Sequence, residues 1–428
     1  MIKEARIKAI TGGTLIDGTG IGPIAEATII IEGSTILAVG KGVQIPSGAK
    51  VIDASGKTVM PGLIDSHMHN MGLMDHPKID RACRPRELAL IRSISDCQGL
   101  LAAGFTTVRD CGGLNGLFLK KAVAEGSLTG LPRIVAAGLL VVQTFNSIDD
   151  PYLPLECSDA RTNRHRSPQG AENLVCDGVD ECIKATRYAL KYGADFIKTF
   201  VSGNFLGENE SAADLQFNPG EIKAIVETAA QVGKFVSAHS QNPRSSKNAI
   251  LGGIKTIDHA NGADDEVVQL GIEHGAIFVS SLASLRLMLD NVADAPSWLA
   301  ARIRHEWEGT INAYKRMRKA GAIVAVGTDF NGSPMAPLGK NVIELELLVN
   351  YCDFSPMDAI VAATRSGAMA CFMADKTGTI QKGKLADIII VDSDPLSDIT
   401  ILQNVQNIKM VMLEGKIEID RGLQISRV

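Results

Sequence analysis

The 428-residue sequence predicts an α/β protein, built as a (β/α)8 TIM barrel with a small β-sandwich domain formed by both chain termini. Two observations predict this fold. Apolar runs alternate with segments of helical period through the middle of the chain, which is typical of strand-then-helix units. Both ends consist instead of short β-type runs separated by glycine and polar turns, which is typical of antiparallel strands.

The N-terminal part of the β-sandwich domain is predicted over residues 1–60, from the runs KAITGGTLIDG, ATIIIEGSTILAVG and AKVIDASGKTVM. The same texture returns over residues 376–428, in GTIQKGKLADIIIVDSDP and NIKMVMLEGKIEI. Neither piece has enough strands or apolar surface to be stable alone. We therefore expect the two pieces to form one domain, with the barrel spanning residues 61–375 between them.

The barrel prediction rests on eight candidate strands with helical segments between them. The strands cover 63–67, 105–110, 133–138, 195–200, 235–239, 255–260, 276–281 and 322–329. Eight such units favour a closed parallel barrel over the alternative, a doubly wound sheet. The segment 142–177 has no clear period, and a loop of this length is usually functional or mobile.

Charge and composition argue against several classes of protein. The net charge is −5 and the basic residues are scattered, so we expect no nucleic-acid partner. No run approaches the roughly 18 apolar residues of a membrane span, and the N-terminus lacks the apolar core of a signal peptide. Eight dispersed cysteines without a CxxC pair predict reduced thiols. We expect a cytoplasmic homo-oligomer that acts on a small molecule.

Metal-ligand side chains fall where several predicted strands end, and in a barrel these ends meet at one mouth. The candidates are His67 and His69 on the first strand, Lys198 on the fourth, His239 on the fifth, His259 on the sixth and Asp329 on the eighth. His67 and His69 are two residues apart, so they project to the same side of an extended backbone. Imidazoles with a carboxylate suit zinc or a similar divalent ion. A lone HxH pair is often incidental, but random placement does not add histidines and an aspartate at three further strand ends.

Lys198 lies in the apolar run FIKTF, where an ammonium group is partly desolvated. One reading is structural: the lysine pairs with an acid such as Asp195 or extends outward to solvent. The other is functional: the amine reacts with carbon dioxide to give a carbamate that bridges two metal ions. The residues alone leave both readings open.

The motifs PGLIDSHMH, FIKTF, SAHS, IDHA and GTDF, in this order and at these separations, resemble the amidohydrolase superfamily. The likeness is to its imidazolonepropionase-like and prolidase-like branch with a binuclear metal centre, which includes ochratoxinase-like enzymes. FTTVRDCGG is also typical of this branch. ITGGTLIDGTG and GTIQKGKLADIIIVDSDPL resemble the β-sandwich pieces of the family, so the resemblance spans nearly the whole chain.

The resemblance implies that six side chains hold two zinc ions: His67, His69 and Asp329 on one, His239 and His259 on the other, and carboxylated Lys198 between them. It also implies that a hydroxide shared by the two ions attacks the substrate carbonyl. Asp329 is then the general base that takes the proton from this nucleophile and the general acid that passes it to the leaving amine.

The chain departs from its prolidase-like relatives where those are implied to hold the carboxylate of a dipeptide. A Gly-Gly-His stretch after the third strand is replaced here by Phe145, Asn146 and Ser147. A tyrosine two residues after the fifth-strand histidine is replaced by Gln241. The resemblance therefore implies the metal centre but no dipeptide specificity.

Other polar residues near the predicted mouth are candidates for substrate binding. Gln241 either donates an amide hydrogen bond to substrate or is exposed, and Asn204 and Glu208 lie in a loop that should border the site. Arg109 either binds an acidic group or, as we favour, forms a structural ion pair with Asp110 or a neighbouring strand. The loop cluster Arg161, Arg164, His165 and Arg166 either attracts an anionic substrate or is a solvated surface.

The leading hypothesis is a binuclear, zinc-dependent amidohydrolase that cleaves an amide bond of the peptide, N-acyl amino acid or ochratoxin type. An alternative is a hydrolase that opens a cyclic amide, lactone or imidazolone ring. Imidazolone-opening relatives use one metal and lack the bridging lysine, so Lys198 argues against that version. A non-catalytic barrel scaffold is a third hypothesis, which would require a lost ligand, and none is lost in the motif set.

Overall fold

The computed structural model describes residues 7–74, 85–146, 148–149, 158–161, 172–207 and 209–427. Their strands are β1 Ile7–Leu15, β2 Ile24–Glu32, β3 Thr35–Lys41, β4 Lys50–Asp53, β5 Thr58–Pro61, β6 Leu63–Met68, β7 Phe105–Asp110, β8 Arg133–Ala136, β9 Leu140–Val142, β10 Asn173–Val175, β11 Ile197–Phe200, β12 Val236–Ser240, β13 Thr256–His259, β14 Ile277–Val279, β15 Val324–Ala325, β16 Ile388–Val391, β17 Ile408–Leu413, β18 Lys416–Asp420 and β19 Ile425–Arg427.

Helices follow most of the barrel strands. They are α1 Arg86–Ala102, α2 Leu114–Ala124, α3 Val179–Lys191, α4 Pro219–Ala230, α5 Pro243–Leu251, α6 Asp265–His274, α7 Leu282–Asp290, α8 Ser297–Ala320, α9 Ile343–Tyr351, α10 Pro356–Val361 and α11 Gly367–Ala370. Gly275 and Gly321 end α6 and α8 in the left-handed conformation, which glycine adopts without strain. Among the described residues, no helix combines the length and the apolar character needed to cross a membrane.

One mixed sheet contains strands from both chain ends, in the order β18-β17-β16-β5-β1-β2-β3, with β4 on β1 and β19 on β4. The sequence of strand β16, IIIV, is apolar at every position because both faces of the strand are buried. Ile388 and Ile390 pack into the core of the β-domain, whereas Ile389 and Val391 pack into the larger core of the barrel. The sheet is therefore covered on both faces, which removes the alternation expected of a half-exposed strand.

The barrel strands are parallel and are paired as β6-β7-β8 and β9-β11-β12-β13-β14-β15, with β10 beside β9. Backbone hydrogen bonds join these two sheets into a closed ring. Ser66 N–H donates to Val326 O at 2.7 Å on one side, and Asp195 N–H donates to Ala136 O at 2.8 Å on the other. The structure confirms the barrel with a β-sandwich domain that the sequence predicts.

Two elements differ from the sequence prediction. The third predicted strand continues after a break as β9, and β10 adds a strand to it from within the segment 142–177, which shows no period. The eighth predicted strand, 322–329, contains only two residues of regular strand, because its later part bonds irregularly to β6.

An ion pair fastens the barrel to the β-domain. Arg133 begins β8, and its guanidinium contacts Asp387 at 2.7 Å and Glu414 at 2.7 Å. Asp387, just before β16, is almost fully buried and also accepts a hydrogen bond from Thr377 at 2.7 Å. Glu414, by contrast, is 54% exposed. Loss of Arg133 therefore leaves the Asp387 carboxylate as a buried, unpaired charge, whereas the exposed Glu414 carboxylate remains in contact with water.

We expect Arg133→Met to lower the free energy of unfolding by about 3 kcal/mol, because it leaves the buried Asp387 carboxylate without its cation. The matched control, Glu414→Gln, removes the exposed partner of the same arginine and should cost less than about 1 kcal/mol. Equilibrium denaturation of both variants measures the difference. Equal losses would show that burial of Asp387 does not determine the strength of this contact.

Candidate metal centre

Two histidines at the end of β6 reach one carboxylate. The Nε2 atoms of His67 and His69 lie 3.3 and 3.1 Å from Oδ1 of Asp329. The other ring nitrogen of His69 lies 3.2 Å from the carbonyl oxygen of Gly112, which fixes the orientation of the ring. The two-residue spacing thus places both imidazoles on the same side of the strand.

A left-handed backbone presents Asp329 at the mouth. Its φ is 58°, a value that residues other than glycine seldom adopt. The amide groups of Thr328 and Asp329 both donate to the carbonyl oxygen of His67, at 3.0 and 2.7 Å. The Asp329 side chain is 30% exposed whereas that of His67 is 2% exposed. Asp329 therefore contacts the buried imidazole of His67 and is itself accessible from the mouth of the barrel.

The end of β13 turns two consecutive side chains into the barrel. In a regular strand Asp258 and His259 would face opposite sides, but His259 has a φ of 69°, which breaks the alternation. Its Nδ1 lies 2.7 Å from the hydroxyl oxygen of Ser281. Its ring centroid lies 4.9 Å from that of His67 and 4.5 Å from that of His239. Three histidines from three strands are therefore neighbours.

His239 carries a nitrogen without a partner. Its ring stacks on Phe200, with centroids 4.7 Å apart. Its Nε2 is buried and has no hydrogen-bond partner among the described residues. Because buried polar atoms in native proteins are nearly always paired, this nitrogen fits a ligand for a metal ion.

Lys198 is only 1% exposed, and its ammonium group forms an ion pair with Asp258. The acid is therefore Asp258 and not Asp195, the partner considered from the sequence. The same carboxylate accepts hydrogen bonds from Ser237 at 2.7 Å and from Arg109 at 2.7 Å. Asp258 is thus fully occupied inside the barrel.

Arg109 is fully buried and has a structural role. Besides Asp258, its Nη1 donates to Thr256 at 2.8 Å and to the carbonyl oxygen of Ala370 at 3.3 Å. The sequence favoured a structural ion pair for this residue, but the partner is Asp258, across the barrel, and not Asp110.

Burial sets the protonation states of the cluster. It lowers the pKa of His67 to about 3 and that of His259 to about 4, helped by the charge on Lys198. Burial also lowers the pKa of His239 well below its usual range. For Asp329, burial opposes ionisation, but hydrogen bonds from the two β6 histidines outweigh it and hold the pKa well below normal. The pKa of His69 is raised instead, because burial is outweighed by its contacts with Asp329 and with the Gly112 carbonyl. Neutral His67, His239 and His259 and an ionised carboxylate are the forms that bind metal cations.

Among the described residues, two groups of three side chains have ligand atoms within 4.8 Å of one another: His67, His259 and Asp329, and His67, Cys111 and Asp258. The first group contains only residues predicted from the sequence, and its two nitrogens and one carboxylate suit zinc or a similar ion. Cys111 and Asp258 were not predicted as ligands. Regular alternation along β13 would place Asp258 outside the barrel, and Cys111 is one of eight dispersed cysteines without a CxxC pair, so its spacing does not indicate a metal site.

The structure places the six predicted ligands at one end of the barrel, but they are not equivalent. Four of them cluster around the Asp329 carboxylate: His67 and His69 contact it directly, and His259 has a ligand atom within 4.8 Å of it. His239 lies against His259, whereas Lys198 is directed to Asp258.

The two predicted substrate-binding residues hold a loop beside the mouth. Gln241 is buried, and its Oε1 accepts a hydrogen bond from the Phe205 amide at 3.1 Å. Asn204 is half-buried, and its side chain accepts one from the Leu206 amide at 2.9 Å. Gln241 also lines a cavity of about 260 Å³ together with residues such as Arg302.

Among the residues that replace the Gly-Gly-His stretch, Asn146 is buried and donates a hydrogen bond to Gln216. Phe145 is 56% exposed. Arg161 forms an ion pair with Asp159 at 2.5 Å. Several residues considered from the sequence lie outside the described residues: Ser147, Arg164, His165, Arg166 and Glu208.

Comparison with known proteins establishes the family. The model of the amidohydrolase family matches residues 58–417. The chain belongs to the amidohydrolase family. This amidohydrolase is 31% identical to the ochratoxinase of Aspergillus niger, over 97% of this chain and 87% of that protein. It is 24% identical to the imidazolonepropionase of Geobacillus kaustophilus, over 94% of this chain and 92% of that enzyme.

Solved structures place the amidohydrolase in the same branch. The crystal structure of A. niger ochratoxinase covers 98% of this chain and 97% of its own, with a TM-score of 0.89 and 28% identity. A prolidase complexed with N-methylphosphonate-L-proline covers 96% of this chain and 99% of its own, with a TM-score of 0.84 and 28% identity. The branch inferred from the motifs is confirmed, and the protein is a hydrolase of this family.

A buried glutamate lies behind the candidate metal centre of the amidohydrolase. Glu344 accepts hydrogen bonds from the backbone amides of Leu282 and Ala283, at 3.0 and 2.6 Å, at the start of α7. The preceding residue, Ser281, is the one that contacts His259. Burial raises the pKa of Glu344 to about 8, although the two amides oppose the shift.

This shift predicts a pH dependence of stability. Between its ordinary pKa of 4.5 and about 8, Glu344 keeps a proton in the folded protein that the unfolded chain releases. The free energy of unfolding therefore falls as pH rises through this window, by up to about 1.4 kcal/mol per pH unit. Glu344→Gln, which cannot ionise, should remove this contribution and be more stable than the wild type at pH 9.

Urea unfolding from pH 5 to pH 9 measures the effect. The control is Glu346→Gln on the same helix, which should leave the pH dependence of the wild type unchanged. A Glu344→Gln variant with the slope of the wild type would show that Glu344 is already ionised in the folded protein at neutral pH.

Proposed function

We propose that the protein is a metal-dependent amidohydrolase that cleaves an amide bond of the peptide or N-acyl amino acid type. The observation that carries the proposal is the convergence of His67, His259 and Asp329, with ligand atoms within 4.8 Å, at the end of the barrel where active sites of this fold lie. Its full-length relatives include an ochratoxinase and a prolidase, and the amide class is taken from them.

Six residues would hold two divalent ions, most simply zinc: His67, His69, Lys198, His239, His259 and Asp329. The unpartnered Nε2 of His239 and the neutral imidazoles support this assignment. Ions in such a site act as Lewis acids on a carbonyl oxygen and acidify water.

Lys198 would serve as a carbamate that joins the two ions. Its burial supports this role, because the nitrogen is shielded from water and lies close enough to His67, His239 and His259 for its charge to lower their pKa values. Carboxylation would end its ion pair with Asp258. That carboxylate would still keep Arg109 and Ser237 as partners, so no buried charge would be left unpaired.

Asp329 would move the proton. Its carboxylate is the exposed member of the cluster, so it can reach both a water molecule and the nitrogen of the scissile amide. It would accept the proton of the attacking water on a carboxylate oxygen and deliver it to the leaving nitrogen. The Nε2 atoms of His67 and His69 lie against this carboxylate, and once these nitrogens bind an ion, Asp329 would be held in position through that ion.

Gln241 and Asn204 would border the substrate. Gln241 follows His239 by two residues and lines the cavity of about 260 Å³, which is large enough for a side chain or small leaving group of the substrate. The cytoplasmic location and the homo-oligomeric state stay predictions from the sequence.

We expect the wild type, grown with ample zinc and bicarbonate, to contain about two metal ions per chain. Lys198→Ala should lose metal and lower kcat/KM at least about a hundredfold, because the shared ligand is gone. Metal analysis and hydrolysis of a panel of N-acyl amino acids, dipeptides, lactones and cyclic amides measure both.

Lys120→Ala is the matched control, since Lys120 also pairs with an aspartate but at the other end of the barrel, and it should keep metal and activity. Partial rescue of Lys198→Ala by a small carboxylate such as propionate would support the carbamate in particular. A wild type that binds no metal and hydrolyses nothing in the panel would refute the proposal. Turnover of cyclic substrates alone would favour the ring-opening alternative.

A further inference from the structure

A second cavity lies at the opposite end of the barrel from the metal centre. Its volume is about 570 Å³, and it is lined by residues where strands begin: Val135 in β8, Val236 at the start of β12 and Lys255 just before β13. His239 lies three residues beyond Val236, roughly 10 Å along the strand. Ligand pockets for small molecules have volumes of about 300–1,000 Å³. This cavity has the size of a ligand pocket and shares no residue with the metal centre.

A column of aromatic rings ends in this cavity. Phe196 stacks on Phe235 with centroids 5.2 Å apart and planes 7° apart, and Phe235 stacks on Phe372 at 3.8 Å and 16°. The Arg109 guanidinium covers the buried end of the column, 5.2 Å from the Phe196 ring. Phe372, the last ring, is 49% exposed. A flat aromatic surface is therefore available for a further ring.

Phe372 occupies an unfavourable position in two respects. It follows α11 with a φ of 55°, a conformation at a helix end that usually selects glycine. It also exposes half of a large apolar side chain to solvent. The left-handed turn itself ends α11, with hydrogen bonds from Phe372 N–H to Met369 O at 3.0 Å and from Met373 N–H to Ala368 O at 2.8 Å, but glycine would serve that turn without exposing a ring. Residues held in disfavoured conformations cluster at binding sites.

The lining of the cavity is cationic. Among the described residues that line it, five are basic and one is acidic: Lys120, Arg133, Lys234, Lys255 and Lys376, against Asp195. Asp195 contacts Lys120 and lies 4.0 Å from Lys234, and Arg133 is engaged by the β-domain. In the part of the chain that the structure describes, no ion pair involves Lys255 or Lys376. These two lysines are free to neutralise an anion.

We propose that this cavity is a second ligand site, which binds a small planar aromatic anion. The ring of the ligand stacks on Phe372, and its acidic group lies between Lys255 and Lys376. An apolar platform alone would accept any hydrophobic molecule, and lysines alone would accept any anion. Their combination selects aromatic acids.

The test uses naphthalene-2-carboxylate as the probe, with the full-length protein and binding followed by probe fluorescence and equilibrium dialysis. We expect saturable binding that weakens as salt concentration rises, and binding of the neutral naphthalene-2-carboxamide about tenfold weaker, which corresponds to about 1.4 kcal/mol. Phe372→Ala, Lys255→Gln and Lys376→Gln should each weaken binding at least about threefold. The two lysines are exposed, so their replacement leaves the fold intact.

Three control variants distinguish binding in this cavity from binding elsewhere on the protein. Phe118→Ala removes another exposed phenylalanine, 42% accessible, and Lys121→Gln removes a lysine outside the cavity; both should bind the probe as the wild type does. Asp329→Asn alters the metal centre and should also leave probe binding unchanged. The proposal is overturned if no saturable binding occurs, or if Asp329→Asn abolishes binding while the cavity variants do not. It is also overturned if Phe372→Ala lowers the oligomeric mass in light scattering, since the face would then contact a second copy of the chain.

Discussion

The ionised carboxylate of Asp258, enclosed in the barrel, organises the end of the molecule where the chemistry is expected. Burial opposes its charge, but Lys198 and Arg109 outweigh that cost and hold its pKa far below normal. Ser237 completes the set, and Nδ1 of His67 lies 3.4 Å away. A buried charge is tolerated only when it is fully paired, so the five side chains depend on one another. They belong to five different strands, and the network therefore fixes how those strands meet.

The candidate metal centre contacts this network directly. His259 follows Asp258 in the chain, and its left-handed backbone lets this candidate ligand and the Asp258 carboxylate both face inward. Lys198 belongs to the network as an ammonium group and to the proposed metal centre as a carbamate. When Lys198 exchanges its ion pair with Asp258 for metal ions, metal loading would change the electrostatics of the barrel core. Arg109 would then be the cation that still pairs with Asp258.

Much of the fold and of the ligand set follows from the sequence, because both depend on local patterns. The alternation of apolar runs with segments of helical period predicts the barrel, and the HxH spacing places His67 and His69 together. The partners of Lys198 and Arg109 could not be predicted, because ion pairs across a barrel join residues 60 and 149 positions apart. Asp258 was missed because strand alternation assumes a regular backbone, and His259 departs from it. Residues that contact substrate lie in loops, where no period constrains them.

The sheet that unites both chain ends has a consequence for biosynthesis. Strand β5 pairs with β16, and Pro61 and Ile388, which lie opposite each other, are 327 positions apart along the chain. At about 5–20 residues per second, a ribosome needs roughly 16–65 s to make the intervening barrel. During that interval the apolar edge of β5 has no partner from the C-terminal strands. Pairing with β1 covers only the opposite edge of β5, so the edge that faces β16 needs another cover, such as a chaperone, until the last strands emerge.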